Sequence, residues 1–360
     1  MPKRRRQEPD NGGGAKMSRL SEKKKKKKKK NLYVVLDDWN KGYSMYKIDA
    51  DDLHGTTQAD GCFPWPAALR LAAPAPGRAM DSKIFIFTSP RCGHTPAFVY
   101  DAGTSALTLG PPLPAPLVGC FHISVATADN VLYGMSPYQM NQHHSFEAMS
   151  RTPPPPSAME EDEDQTPPWS WSWKPVPSLP PFGADDTVTA YALHPDVFMS
   201  AHSHRCPRLP TGTALPFQGR GHYAADLDAW VGVRDDGRVC ACQVVSRTGP
   251  ATREPPEWKT VKDEKLFSNE VPAERRMMVS RPTLAYMGDD AATFCLAEFV
   301  VRRGVDLKHA VGDADGCLLR MSTFRLRYDH KGELHTAGLR TSSFLVSKHL
   351  WTVSPLVFWM

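Results

Sequence analysis

The residues best suited to chemistry fall in a few short clusters. His202, His204 and Cys206 alternate, so on an extended chain all three point to one side. Such nitrogen and sulfur donors suit zinc or copper, but a tetrahedral site needs a fourth ligand and none is near in sequence. A solvated loop is therefore expected. Cys240 and Cys242 also share one face of an expected strand. Without a second Cys-x2-Cys pair they read as buried thiols acting as small hydrophobes. Adjacent carboxylates recur at Asp37-Asp38, Asp51-Asp52, Asp185-Asp186, Asp235-Asp236 and Asp289-Asp290. All sit at turns, where Asp caps backbone amides, so they are read as turn formers rather than acid–base pairs. Glycine-rich phosphate loops and a nucleophile elbow do not occur. No catalytic, cofactor-binding or metal-binding residue is assigned, and no cofactor is expected.

The strongest charge signal is a basic tail. Residues 1–30 carry 14 basic side chains against Glu8, Asp10 and Glu22, a net of +11. The other 330 residues hold 30 basic and 36 acidic side chains, a net of −6. Within the tail stand Lys3, Arg4, Arg5 and Arg6, then the unbroken run Lys23, Lys24, Lys25, Lys26, Lys27, Lys28, Lys29 and Lys30. Like charges this close repel within a Debye length of ~8 Å, so the tail is expected to be disordered, extended and solvated. Such a run reads as a nuclear-import signal, with nucleic-acid contact a secondary possibility.

Composition narrows the class of the remainder. The full chain is 41% hydrophobic and 23% charged, which leaves the remainder enough apolar residues to build a core. No apolar run approaches the ~18–20 residues of a membrane span, and the N-terminus lacks an apolar signal region. Eight cysteines at irregular spacings read as reduced thiols of the nucleus or cytosol. Thirty-three prolines in 360 residues, nearly twice the usual ~5%, favour short elements separated by turns.

Those elements read as hairpins. Asn31–Asp38 and Gly42–Asp49 flank Trp39-Asn40-Lys41. Ser82–Thr88 sets Ile84 and Ile86 against Phe85 and Phe87, which predicts a strand buried on both faces. Further pairs are Ala97–Tyr100 with Ala106–Leu109, His122–Ala128 with Val131–Met135, and Thr187–Leu193 with Val197–Ala201. Ala229–Arg234 and Arg238–Val245 flank Asp235-Asp236-Gly237, the strongest hairpin signal in the chain. Thr283–Met287 precedes Thr293–Val301, whose spacing also suits a helix but which is assigned as strand by the pattern of its neighbours. Phe324, Leu326 and Tyr328 then alternate with Arg325, Arg327 and Asp329 before a turn at Lys331-Gly332.

Hairpin starts near Ser82, His122, Thr187, Ala229 and Thr283 are separated by 40, 65, 42 and 54 residues. The long step contains an acidic, proline-rich insertion at 151–168, with Glu160 to Asp164 all acidic. Without it the unit is about 40–50 residues, the length of a β-propeller blade. Trp169, Trp171 and Trp173 alternate on one face. Trp173 is expected to pack against the neighbouring blade, while Trp169 suits packing and exposure equally.

A motif running from Phe98-Val99-Tyr100-Asp101 through Leu107 to Leu113-Pro114 resembles the kelch repeat. Its later half recurs at Trp173-Lys174-Pro175-Val176 to Leu179-Pro180, and in part at Trp258-Lys259-Thr260-Val261. The order YVVLDDWNKGYSMYKID, SKIFIF, FVYDAGTSALTLGPPLP, NVLYGMS, WSWSWKPVPSLPPF, LDAWVGV and TLAYMGDDAATFCLAE is similar to a family of uncharacterised, kelch-like proteins of grasses. The likeness covers residues 31–304, more weakly to 347, and implies a propeller but no activity. The double glycine of kelch repeats occurs only in the tail. The unit after Ala201 is short, which leaves one blade and the ring closure open.

The expectation is an all-β, kelch-like propeller of about six blades over residues 31–350, a tail at 1–30, and a segment at 351–360 of unassigned structure. The expected function is a non-enzymatic protein-interaction scaffold in the nucleus, or alternatively the cytoplasm. Its partners would be another protein and an importin-type receptor, with weak non-specific nucleic acid contact through the tail and no membrane. A carbohydrate-active propeller enzyme is the rival reading.

Overall fold

The computed structural model of the chain describes residues 30–37, 43–49, 52–54, 61–62, 64–71, 77–80, 82–87, 97–117, 123–127, 129–135, 146–152, 170–177, 188–194, 198–203, 215–244, 257–262, 282–288, 291–302, 304–305, 317–346 and 355–360. Strands dominate these segments, and the helical pieces among them are single 3-10 turns at Asp52–His54, Ala115–Leu117 and Ala225–Leu227.

Continuous apolar runs announce strands buried on both faces. In β1 (Asn31–Asp37), Leu32, Val34 and Leu36 enter one core while Tyr33 and Val35 enter another. β2 (Tyr43–Asp49) pairs with β1 antiparallel, Asn31 opposite Asp49 and Asp37 opposite Tyr43. Because side chains alternate along a strand, two packed neighbours demand apolar residues at every position. β6 (Lys83–Ile86) repeats this arrangement. Ile84 and Ile86 face the same core as Tyr33, and Phe85 faces the next one.

Five sheets result, in a β-propeller arrangement. The first joins β1, β2, β4 (Ala67–Leu71) and the C-terminal β23 (Leu356–Trp359). The second runs β5 (Gly77–Met80), β6, β7 (Phe98–Asp101), β8 (Ala106–Leu109), and the third β9 (Ile123–Ala126), β10 (Leu132–Met135), β11 (Phe146–Thr152), β12 (Ser170–Pro175). The fourth contains β15 (Gln218–Ala224), β16 (Ala229–Val233), β17 (Val239–Gln243) and β18 (Trp258–Thr260). The fifth contains β19 (Thr283–Tyr286), β20 (Thr293–Val301), β21 (Cys317–Tyr328) and β22 (Leu334–Leu345). The segment expected as strand at Thr293–Val301, despite its helical spacing, is β20.

Four core clusters lie between two sheets, as packed blades require, and a fifth lies within the fourth sheet. One cluster joins the first and second sheets, one the second and third, one the fourth and fifth, and one the fifth and first. First strands of successive sheets approach one another: β23 lies near β5 and β19, β5 near β9, and β15 near β19.

Five sheets stand where about six blades are expected. Among the described residues the hairpin β13 (Val188–His194) with β14 (Phe198–Ser203) acquires no outer strands of its own. Instead β13 pairs parallel with β15, Ala190 opposite Gly219 and Ala192 opposite Gly221, and so joins the fourth sheet. Leu215 and Phe217 cover one face of the fourth sheet. There they meet Trp230, Cys240 and Cys242 in one buried cluster.

Closure uses both ends of the ring. β23 adds to β1, Leu32 opposite Trp359 and Val35 opposite Leu356, so the segment at 351–360 supplies a strand and the ring extends past residue 350. β3 (Gly61–Cys62), from the first sheet's own connection, pairs parallel with β22. The first sheet thus takes a strand from the C-terminal end of the chain and the fifth takes one from the first sheet's connection, and a core cluster packs between the two sheets.

Candidate functional site

Local structure gives several of the residues singled out in the sequence structural roles, while Asp38, Asp51, Asp185, Asp186, Asp289 and Asp290 lie outside the described residues. Cys240 and Cys242 are buried on the face covered by Phe217, and burial pushes both thiols up to about 12. Their alternation puts Val239 and Ala241 into the core shared with the fifth sheet. Asp236 accepts the Arg238 backbone N–H at 3.1 Å across its turn. Asp101 accepts the Gly103 and Thr104 amides and pairs with Lys83 Nζ at 2.7 Å; the lysine contact, then the turn amides, hold its carboxyl below the usual range. Trp173 tilts against Phe87 and Trp171 meets Phe85 edge-on at 5.0 Å, so this strand packs on the second sheet as expected for Trp173. The side chains of His202, His204, Cys206 and Trp169 lie outside the described residues, as do Lys3 to Arg6 and Lys23 to Lys29. Among the described residues no group of three or more His, Cys, Asp or Glu is placed to hold a metal, and no helix is long and apolar enough to cross a membrane.

The site the structure adds lies at the closing seam. A cleft of about 410 Å³ opens between the fifth sheet and β23. Its walls include Thr323 and Arg325 on β21, Ala337, Gly338 and Arg340 on β22, and Trp359. The inward face of β21 is apolar at Cys317, Leu319 and Met321, then turns polar at Thr323 and Arg325. Pairing slips by one residue here: Thr323 faces Arg340, but Arg325 faces Ala337. This is a β-bulge, and Gly338 occupies it with φ +62°, a left-handed conformation that glycine adopts without strain.

The bulge decides which side chains reach the cleft. In an unbroken ladder Leu339 would face Thr323, and Arg340 would point into the opposite core. One extra residue exchanges them. Leu339 packs against the core between the fourth and fifth sheets, and Arg340 joins Arg325 on the cleft wall. Both arginines are exposed, and among the described residues neither pairs with a carboxylate.

The remaining polar groups are mostly donors. The Trp359 Nε1–H is buried, with no hydrogen-bond partner among the described residues. Thr323 contributes a hydroxyl, while the Thr293 hydroxyl donates to the Ala291 carbonyl at 2.8 Å. The two guanidiniums can receive carboxylate or phosphate oxygens, through two parallel hydrogen bonds each. Sequence reading found Arg325 only as the polar phase of an alternating strand. Arg340 and Trp359 left no local signal, because a bulge and a ring closure bring them in.

The chain is thus an all-β propeller closed through its terminal strand. It belongs to the family described as Protein of unknown function (DUF1668), whose model matches residues 29–344. No curated protein matches its sequence. Among solved structures it is similar to TolB from Acinetobacter baumannii, at 12% identity and a TM-score of 0.44, covering 92% of this chain and 66% of that one. It is also similar to a chain in the complex of KlAtg21 with the coiled-coil of AgAtg16, at 9% identity and a TM-score of 0.27, covering 84% and 77%. Neither likeness bears on function.

Proposed function

We propose that this protein is a non-enzymatic interaction scaffold whose propeller engages a partner protein and whose lysine-rich tail, read by an importin-type receptor, directs it to the nucleus. The observation that carries the reading is the seam cleft, a donor-lined recognition surface held on a closed ring. Rigid sheets position such groups without the ordering cost a mobile loop would incur. The blades are read as degenerate kelch repeats, in keeping with Trp171 and Trp173 packing between two of them. The tail adds weak, non-specific contact with nucleic acid, which salt weakens by roughly 0.9 log units per phosphate contact per log unit of salt.

Two experiments test this. The full chain and a variant with Lys23–Lys30 changed to alanine are used to capture partners, and a stoichiometric protein recovered with both supports the scaffold. Turnover of a glycan library by the purified protein refutes it. A fluorescent fusion is expected in nuclei and its alanine variant is expected to be diffuse; an intact fusion excluded from nuclei refutes the role of the tail.

A further inference from the structure

We propose that the seam cleft docks an acidic, extended segment of a partner protein, with carboxylates received by Arg325 and Arg340. The proposal rests on the scaffold reading and gives the partner's chemistry.

Spacing is the first argument. Arg340 stands opposite Thr323, and Arg325 lies two residues further along β21. The two arginines are therefore diagonal neighbours on one face, roughly 7–8 Å apart at the backbone. An extended peptide presents same-face side chains every two residues, about 6.7 Å. Alternate carboxylates of an acidic strand match that interval. A bare oxyanion would leave most of the roughly 410 Å³ cleft to water.

Availability is the second. Among the described residues neither guanidinium is paired, so no internal carboxylate must be displaced. The bulge at Gly338 fixes the Arg340 backbone on a strand, so its side chain leaves from a set point on the cleft wall.

Electrostatics is the third. Asn31 exchanges both backbone hydrogen bonds with Met360, at 2.6 and 3.1 Å, directly after Trp359. The lysine run ends at Lys30, one residue before this pairing. Its charge draws acidic chains to this end and raises their rate of encounter. Nucleic acid is the weaker occupant, since the propeller itself carries a net of −6 and offers no broad basic groove.

The test uses full-length protein and a fluorescein-labelled octaglutamate peptide, read by anisotropy. Changing both Arg325 and Arg340 to alanine is expected to weaken binding about tenfold or more per arginine, with an unchanged circular dichroism spectrum. The pair Arg325→Lys and Arg340→Lys keeps the charge, removes the fork and is expected to fall between. Changing Lys23–Lys30 to alanine is expected to flatten the salt dependence but leave the arginine effect. Equal peptide binding by the wild type and the double-alanine variant overturns the proposal, because the tail alone would then be the binder. Displacement of the peptide by equimolar duplex DNA from the tail-neutralised protein also overturns it, in favour of nucleic acid. A captured partner that ignores both arginines overturns this inference but leaves the scaffold reading standing.

Discussion

Phe217 lies flat over two glycines, and that contact makes a sharp test of how the incomplete blade is sealed. A Cβ added at Gly232 would stand 2.4 Å from Phe217 Cγ and 2.8 Å from its Cβ. These atoms sit at the base of the side chain, so the ring cannot swing clear and the backbone must move. Such overpacking costs about 1–3 kcal/mol, the expected penalty for Gly232→Ala. Phe217 is 2% exposed, and Phe217→Ala should cost about 3–5 kcal/mol through lost burial and the cavity left behind. With the ring gone the Cγ and ring contacts disappear but the 2.8 Å contact with the residue 217 Cβ remains, so the Gly232→Ala penalty should shrink without vanishing. The two substitutions should therefore be coupled by about 1–2 kcal/mol, as expected for residues in contact. Urea unfolding followed by tryptophan fluorescence measures it, since Trp230 shares the cluster. An identical Gly232→Ala penalty in both backgrounds would refute the packing argument.

Other expectations concern buried groups. Cys240, Cys242, Cys295 and Cys317 are buried, and burial pushes their thiols up to about 11–12, so native iodoacetamide labelling at pH 8 followed by peptide mapping should find them unmodified. His222 Nε2 meets the Leu284 carbonyl at 2.9 Å, and desolvation, then Arg220, lowers its pKa from 6.5 to about 3. The unfolded chain takes up that proton first, so stability present above pH 6.5 is lost as pH falls toward 3. His222→Gln should flatten that part of the acid limb, and an unchanged limb counts against the assignment. Glu298 and Arg320 form a buried ion pair at 3.0 Å. Arg320→Met should cost about 3–5 kcal/mol in denaturant titration, and adding Glu298→Met should recover much of it.

Much of the fold was legible along the chain, and the candidate site was not. Hairpins depend on neighbours. Asp235-Asp236-Gly237 turns the chain between Val233 and Val239, with Gly237 at φ +78°, because turn chemistry and alternation act within a few residues. The buried character of β6 was equally plain, since a strand between two cores must be apolar on both faces. Blade number was not local. The hairpin β13–β14 reads as the start of a sixth blade, and only its parallel pairing with β15 assigns it to the fourth sheet. β23 gave no sequence sign that it would close the ring, because its partner β1 lies at the opposite end of the chain. The cleft needed both kinds of distant information. Arg340 faces it through a one-residue bulge, and Trp359 reaches it through closure. Sequence determined where strands begin and turn, because those choices are made by sterics and hydrogen bonds between near neighbours. Tertiary structure decided which strands share a sheet and which side chains share a cavity, because those contacts depend on the packing of the whole ring.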